Sequence, residues 1–285
     1  MKELREIINN ASLTKTQRMI AKYVLDHSSD ACFMTSTEIA QELGVSESSV
    51  IRFSRSLGFS GFMDFQKTLR KDYQDKVYSI SSSITVPSQR MAHRSKMGTS
   101  SDYINRHFKN ALNNLENVFA NNSLAAFEEA ADVIINSRFK YITASRGNAS
   151  LGDYFFLYLK HMLPNVDTTV SSSMSPMDHL CNISKDDCLI VFSFPRYSSL
   201  DKLSASMAKD AGAKIVVITD KPSSLLAGYA TVLLTVPVNS DTFFNSLVGA
   251  QFVAEALLDT ISHKVKGIEK RLKKIDKYLA QLGNY

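Results

Sequence analysis

Two short helical patterns joined by a glycine turn, within residues 35–59, constrain the fold of this chain more than any other feature. Thr35 and Glu38 form the Ser/Thr-x-x-Glu capping box that starts a helix, and Gly44 stops it. Ser46 is a natural N-cap for the second helix. In both patterns apolar residues recur on one helical face: Ile39, Ala40 and Leu43, then Val50, Ile51, Phe53 and Leu57. The spacing predicts a helix-turn-helix.

The polar face of the second predicted helix is suited to DNA. Short hydroxyls can approach base edges in the major groove, and Arg reaches guanine or phosphate. A further helix, predicted over Gly61–Asp75, offers Lys67 to the phosphate backbone. The alternative is an ordinary helical hairpin whose polar face is solvated. The predicted DNA-binding residues are Ser46, Glu47, Ser48, Ser49, Arg52, Arg55 and Lys67.

This region also resembles a known family. The similar segments are LTKTQRMIAKYVL and FMTSTEIAQELGVSESSVIRFSRSLGFSGFMDFQKTLR, and above all the run GVSESSV-RF-R-LGF-GF. They resemble the N-terminal domain of the RpiR family of bacterial transcriptional regulators. The resemblance implies an all-α domain that binds double-stranded operator DNA as part of a homo-dimer or homo-tetramer.

Length and composition bound the rest of the chain. With 285 residues, of which 44% are hydrophobic, we expect about two domains, each with its own core. No segment resembles a signal peptide or a membrane span, so we expect a cytoplasmic protein without membrane contact. Three irregularly spaced cysteines and six scattered histidines predict neither a disulfide framework nor a metal site, and we expect no cofactor.

Basic charge is concentrated at the two ends of the chain. Residues 1–100 hold 14 Lys and Arg against 10 Asp and Glu, a net charge of +4. Residues 264–285 hold 7 against 2, a net charge of +5, while the middle of the chain is slightly acidic. This distribution is typical of a DNA-binding head attached to a near-neutral regulatory or catalytic body.

The remainder divides into a linker, an α/β domain and a tail. A Ser-rich stretch without apolar periodicity predicts a loosely packed linker. Two helical patterns come next, and the apolar residues of the first, which include Ile104 and Phe108, are expected to pack against a sheet. Five short apolar runs that alternate with helices then predict a three-layer α/β domain with a five-stranded parallel sheet. The predicted domains are residues 1–76 (helix-turn-helix), 77–102 (linker), 103–263 (α/β) and 264–285 (basic amphipathic helix). The predicted strands are Phe139–Ala144, Val166–Val170, Asp187–Ser193, Lys214–Thr219 and Thr231–Val236.

Two of the predicted strands end in loops rich in hydroxyl groups that open helices. Helix N-termini attract anions, and Arg adds charge-assisted donors suited to phosphate or carboxylate. The alternative is two plain turns whose serines cap helices. The predicted anion-binding residues are Ser145, Arg146, Gly147, Asn148 and Ser150 after the first strand, and Ser193, Arg196, Tyr197 and Ser198 after the third.

Residues 138–263 resemble a SIS domain, the sugar-isomerase fold that accompanies RpiR-type heads and binds phosphosugars. The loops depart from the usual SIS patterns, because Asn148-Ala149 stands where Gly-x-Ser or Gly-Thr-Ser is common. In the second loop Pro195 and Arg196 separate Ser193 from Ser198. The resemblance therefore implies a small anionic effector, a phosphosugar or a related acid.

An enzyme is the competing interpretation of this half. Aldose–ketose isomerisation needs a base such as Glu or His beside the bound sugar. The candidates are Glu255, His179 and Asp153, and none has a pattern specific to catalysis. We therefore expect a transcriptional regulator without catalytic residues, with a SIS-type sugar-phosphate isomerase or a nonspecific nucleic-acid-binding protein as the alternatives.

The basic tail carries a heptad-like stripe over residues 264–285. Three heptads are short for an independent coiled coil, so the stripe is expected to dock on another subunit or on the body of the same chain. Its apolar members are Val265, Ile268, Leu272, Ile275, Leu279 and Leu282.

Overall fold

A computed structural model describes residues 2–32, 34–70, 86–95, 103–170, 172 and 174–283. The contacts divide the chain into two units. The first consists of Met1–Asn110 with Asn239–Asn245, and the second of Ala111–Val238 with Ser246–Tyr285.

The first unit is helical. Its core contains Ile20, Ile39, Val50, Phe53 and Phe65, all fully buried, and Phe53 meets Phe65 edge to face at 5.4 Å between ring centroids. Its helices are α1 (Lys2–Asn10), α2 (Lys15–Asp26), α3 (Ser28–Ala31), α4 (Ser36–Leu43), α5 (Glu47–Ser56), α6 (residues 62–70) and α7 (Pro87–Ser95).

The helix-turn-helix is formed by α4 and α5, and its start and turn follow the sequence pattern. The Thr35 backbone N–H donates to Glu38 Oε2 at 2.6 Å, and the Glu38 backbone N–H donates to Thr35 Oγ1 at 3.2 Å, which confirms the capping box. Gly44 ends α4 at φ 63°, a left-handed conformation that glycine adopts without steric cost. Ser46 is the N-cap residue of α5, but its side chain makes no capping bond to the backbone.

Helix α7 lies inside the segment that was predicted to be loosely packed. Pro87 occupies its first position, where the fixed φ of proline favours a helix start. Arg90 is 3% exposed and donates from Nη1 to Asn245 Oδ1 at 2.9 Å. The predicted linker therefore contains a helix at residues 87–95, anchored by a residue 155 positions away. Residues 71–85 and 96–102, which include the end of the predicted Gly61–Asp75 helix, lie outside the described residues.

The second unit is a parallel α/β sheet in the strand order β2-β1-β3-β4-β5. The five predicted strands are confirmed to within two residues at each end. Its strands are β1 (Lys140–Ala144), β2 (Val166–Thr168), β3 (Cys188–Phe192), β4 (Lys214–Thr219) and β5 (Val232–Thr235). Its helices are α9 (Leu124–Asn136), α10 (Ala149–Met162), α11 (Pro176–Leu180), α12 (Ser199–Asp210), α13 (Val248–Lys264) and α14 (Ile268–Gln281).

Helices cover both faces of the sheet, as the near-continuous apolar strands require. Along β3, Ile190 and Phe192 face a core with residues of α9, α10 and α13, whereas Leu189 and Val191 face a smaller core with residues of α11 and α12. This alternation is the two-residue period of a strand. The three-layer α/β prediction is confirmed.

Helix α8 (Tyr103–Asn121) begins in the first unit and ends in the second, and its exposed face differs from the prediction. Ile104 and Phe108, expected to pack inward, are 66% and 59% exposed, whereas Asn114 is fully buried. The rotation of the helix is fixed near its end, where Asn122 donates to Thr235 C=O and accepts from Thr235 N–H, both at 2.7 Å.

The C-terminal helix α14 docks on its own chain. Gly267, at φ 84°, turns the chain after α13. Arg271 then donates to the carbonyl oxygens of Lys160, His161 and Leu163, at 3.1 to 3.2 Å, where α10 ends. These carbonyls lack partners within the helix, and a cation at a helix C-terminus is favourable. Two members of the predicted stripe, Leu272 and Leu282, remain 38% and 72% exposed.

Candidate functional site

The exposed face of α5 is the candidate DNA-binding surface. Ser46, Ser48, Arg52 and Arg55 are exposed, and Ser49 is half-buried. The Ser46 hydroxyl lies 2.9 Å from the Ser48 hydroxyl and 2.8 Å from the Ser49 hydroxyl. Arg52 Nη2 donates to Ser49 Oγ at 3.4 Å. The hydroxyls are therefore linked at the N-terminus of α5, where the helix dipole favours a phosphate.

Glu47 plays a different part from its neighbours on α5. The Ser36 hydroxyl of α4 donates to Glu47 Oε1 at 2.7 Å. This bond links the starts of the two helices, so it holds their crossing angle. Lys67 is exposed on α6, and Gln66 beside it donates to the Met34 carbonyl at 2.6 Å, which fastens α6 to the segment before α4.

The second candidate site lies at the carboxyl ends of β1 and β3. These strands are neighbours in the sheet, and β2 lies on the other side of β1. The strand order therefore reverses between β1 and β3. In open parallel sheets the crevice at such a point is where ligands bind. The loops that follow β1 and β3 are the two predicted anion-binding loops.

Arg146 and Arg196 adopt left-handed backbone conformations, at φ 59° and φ 74°. Such a conformation costs a side chain with a Cβ about 1–2 kcal/mol, and strained residues cluster at functional sites. Arg146 is exposed and Arg196 is half-buried. Neither guanidinium has a hydrogen-bond or ion-pair partner among the residues that the structure describes. Both are thus available to an anion.

Asp201, which no sequence pattern singled out, joins the two loops. It lies in the first turn of α12 with no exposed surface. Ser145 Oγ donates to Asp201 Oδ1, and Ser193 Oγ donates to Asp201 Oδ2 at 2.9 Å. Burial raises the pKa of the Asp201 carboxyl, and the two hydroxyl donors lower it in part. Its sequence signal was an acidic residue in the first turn of a helix that follows a hydroxyl-rich loop.

The two serines therefore differ from the other predicted loop residues. Ser193 is fully buried, and Ser145 is half-buried with its proton directed to Asp201. Both hydroxyls hold their loops in place through their hydrogen bonds to Asp201. Ser198 caps α12, since its hydroxyl accepts from the Leu200 backbone N–H at 3.2 Å. Gly147 and Asn148 lie in a 3-10 turn before α10, and Ser150 is exposed.

A second buried carboxylate borders the β3 loop. The Tyr197 hydroxyl donates to Asp220 Oδ1 at 2.5 Å, and Thr219 Oγ1 lies 3.3 Å from the same oxygen. Asp220 follows β4 and is 5% exposed. Its other oxygen, Oδ2, is buried and has no hydrogen-bond partner in the described part of the chain. Buried polar atoms are rarely left without a partner, so this oxygen is a candidate acceptor for a ligand or a water molecule.

The helices at this edge approach the strands closely. A Cβ on Gly152 of α10 would lie 2.8 Å from Ala144 Cβ and 2.9 Å from Val170 Cγ2. Glycine therefore allows α10 to approach the end of β1.

The candidate bases for an isomerase are dispersed. Glu255 is exposed on α13 and accepts from Gln251 Nε2 at 2.8 Å. His179 lies in α11, where its two ring nitrogens contact Asp167 and Ser172. No group of three or more His, Cys, Asp and Glu residues that could hold a metal ion occurs among the described residues.

Comparison with known proteins agrees with this architecture. The family model of the helix-turn-helix domain of the rpiR family matches residues 2–76, and the SIS domain model matches residues 134–259. The chain thus combines a helix-turn-helix domain of the rpiR family with a SIS domain. It is 24% identical, over 91% of its length and 92% of the relative, to an uncharacterised HTH-type transcriptional regulator of Clostridium perfringens.

Solved structures share the fold of this chain. The NanR protein of Vibrio vulnificus, complexed with ManNAc-6P, is 18% identical, with a TM-score of 0.55 over 95% of both chains. The sugar isomerase domain of an RpiR transcription factor from Sphaerobacter thermophilus is 20% identical, with a TM-score of 0.57 over 60% of this chain and 96% of that chain. In the described residues, no helix is long and apolar enough to cross a membrane.

Proposed function

We propose that this RpiR-family protein is a transcriptional regulator that binds operator DNA and responds to a phosphosugar. The helix-turn-helix supplies the DNA-binding head, with Arg52 and Arg55 as base or phosphate contacts and Lys67 as a phosphate contact. The named relative from Clostridium perfringens and the NanR structure support this assignment. Glu47 acts as a positioning residue through its bond to Ser36.

One observation carries the effector site. The two loops at the reversal point of the sheet each hold an arginine in a left-handed conformation, with a guanidinium that no described residue engages. A phosphate between the loops would receive charge-assisted hydrogen bonds from Arg146 and Arg196. Gly147, Asn148, Ser150, Tyr197 and Ser198 complete the rim of this site, and Ser145 and Ser193 support it through Asp201.

We propose binding without turnover. Proton transfer between sugar carbons needs a base within hydrogen-bond reach of the substrate. The carboxylate that underlies both loops, Asp201, is buried and already accepts two hydroxyl protons. An attached DNA-binding head gives ligand binding a sufficient task. Effector binding would change how two subunits pair and so change the spacing of their α5 helices on a pseudo-palindromic operator.

A thermal-shift screen tests the effector site. The purified protein is heated with inorganic phosphate, pentose and hexose phosphates, ManNAc-6P, sugar acids and small carboxylates, because a ligand of the folded state raises the melting temperature. We expect a phosphosugar to raise the melting temperature of the wild type. It should not raise the melting temperature of Arg146→Ala or of Arg196→Ala. Lys202→Ala, which removes an exposed charge from α12, is the matched control and keeps the shift. A shift that survives both loop substitutions contradicts the proposed site, and conversion of an aldose phosphate to a ketose phosphate contradicts binding without turnover.

A further inference from the structure

Three residues at the carboxyl end of β2 form a hydrogen-bonded chain outside the proposed effector site. His179 Nδ1 lies 3.0 Å from Asp167 Oδ2, and His179 Nε2 lies 2.7 Å from Ser172 Oγ. The His179 side chain is 12% exposed, so the imidazole is enclosed, whereas Ser172 is exposed to solvent. An imidazole held between a carboxylate and an accessible hydroxyl is the arrangement that activates a serine nucleophile.

The hydrogen bonds determine where the protons lie. The Asp167 carboxylate only accepts, and its other oxygen, Oδ1, already takes the Thr168 backbone N–H at 2.8 Å. His179 Nδ1 must therefore carry a proton, and Nε2 of the neutral ring is an acceptor. The Ser172 oxygen accepts the Met174 backbone N–H at 3.1 Å, which leaves its own proton to be donated to His179 Nε2.

The carboxylate also fixes the orientation of the ring. Asp167 lies in β2, a strand paired with β1, so its backbone is held by the sheet. His179 lies in α11, which a capping box between Ser175 and Asp178 starts. Ser172, which lies between these elements in the sequence, contacts the imidazole, and Asp167 and His179 are each anchored by regular structure.

We propose that Ser172 is an activated nucleophile and a site of covalent acylation by reactive esters. Ser172 Oγ attacks the ester carbonyl carbon while its proton passes to His179 Nε2. The bond from the carbonyl carbon to the leaving oxygen then breaks, and that oxygen takes the proton from His179. The products are the serine ester and a free alcohol, so atoms and electrons balance without an oxidant or a reductant. Asp167 is a positioning residue that stabilises the imidazolium.

A fluorophosphonate probe tests this assignment without a natural ligand. The full-length protein is incubated with the probe, and the adduct is counted by intact mass and located by peptide mapping. We expect one adduct, on Ser172, and none in Ser172→Ala. His179→Gln should slow labelling by about 100-fold or more, the usual contribution of a general base, and Asp167→Asn should slow it by about tenfold or more.

Ser199→Ala is the matched control, since Ser199 is an exposed serine on α12. It should label at the wild-type rate. Circular dichroism melting establishes that each variant is folded. The assignment is overturned if the wild type acquires no adduct on Ser172, if several exposed serines react alike, or if folded His179→Gln labels as fast as the wild type. If His179→Gln does not fold, the comparison of Asp167→Asn with the wild type decides in the same way.

Discussion

Arg146 and Arg196 share a backbone conformation that few arginines adopt, with φ values of 59° and 74°. They follow neighbouring parallel strands, β1 and β3, and occupy the second and fourth positions after them. A strained backbone conformation therefore occurs in both loops at the same edge of the sheet, at positions where glycine could adopt it without steric cost. Packing does not explain this coincidence, because neither side chain has a partner among the described residues. Binding of an anion by both guanidinium groups explains it.

The strain predicts opposite effects on stability and binding. Arg196→Gly removes the cost of a Cβ at positive φ, although glycine also loses more conformational entropy on folding. We expect the free energy of unfolding to be unchanged or to rise by up to about 1 kcal/mol, while phosphosugar binding falls at least tenfold. Arg196→Ala, which keeps the strain, should lose binding without the gain in stability. Urea unfolding and calorimetric titration measure the two effects, and a glycine variant that binds as well as the wild type contradicts the role of the guanidinium.

Acid should weaken the second unit through Asp187. Burial alone would raise the pKa of this carboxyl, but hydrogen bonds from Arg138, Ser184 and the Phe139 backbone lower its pKa to about 2. Because the folded-state pKa lies below the unfolded value of 3.8, the carboxylate stabilises the fold above pH 4 and loses that contribution as the pH falls towards 2. The full contribution would be about 2 kcal/mol, and solvent screening of Arg138 makes it smaller.

The measurement is the unfolding free energy of the wild type and of Asp187→Asn at several pH values between 2 and 6. At pH 6 the wild type should be more stable than Asp187→Asn. The difference in unfolding free energy between the two proteins should shrink as the pH falls below 4. Asp186→Asn, which alters the exposed neighbour, is the control and should keep the wild-type pH dependence. A difference between wild type and Asp187→Asn that does not vary with pH would contradict the prediction.

Gly152 predicts a steric effect on the scaffold of the effector site. Gly152→Ala places a Cβ within 3 Å of Ala144 and Val170, so α10 must shift away from the strands. Overpacking of this kind costs about 1–3 kcal/mol. At Gly147 a Cβ would meet no atom within 4 Å, and Gly147→Ala should be nearly neutral. Thermal melting of both variants checks the pair, and equal melting temperatures would refute the close approach.

Arg52 predicts a change in DNA specificity. Its guanidinium is oriented by the Ser49 hydroxyl on the exposed face of α5. Arg52→Ala should cost about 1–3 kcal/mol on the operator and relax preference at one base position, if this arginine reads a base. Lys67→Ala should weaken binding to all sequences alike and reduce the salt dependence. Anisotropy titrations on operator and scrambled DNA separate the two; a uniform loss for Arg52→Ala would show that it contacts phosphate only.

The sequence predicted the features that depend on local chemistry. The capping box at Thr35, the turn at Gly44 and the strand boundaries follow from hydrogen bonds and apolar periods within a few residues, so they could be derived from the pattern. Features set by distant partners could not. Asn122 hydrogen-bonds to the backbone of β5, Asn245 anchors Arg90, and Asp201 accepts hydrogen bonds from Ser145, 56 residues away, and from Ser193.

The same distinction applies to the candidate sites. The hydroxyls and arginines of the two loops stand out in the sequence because they follow predicted strands. Asp220 does not, since its importance lies in one buried oxygen without a described partner. Ser172 and His179 were not joined by any spacing rule, and only the fold brings both to Asp167.

The central claim is that a ligand on the strand-end loops controls DNA binding by the helix-turn-helix. The direct test selects bound fragments from genomic DNA and then measures the affinity for the selected operator, with and without the phosphosugar that raises the melting temperature most. We expect the apparent Kd to change at least fivefold for the wild type, the lower range of allosteric coupling, and not to change for Arg146→Ala. An operator affinity that is identical with and without a bound phosphosugar would contradict the account.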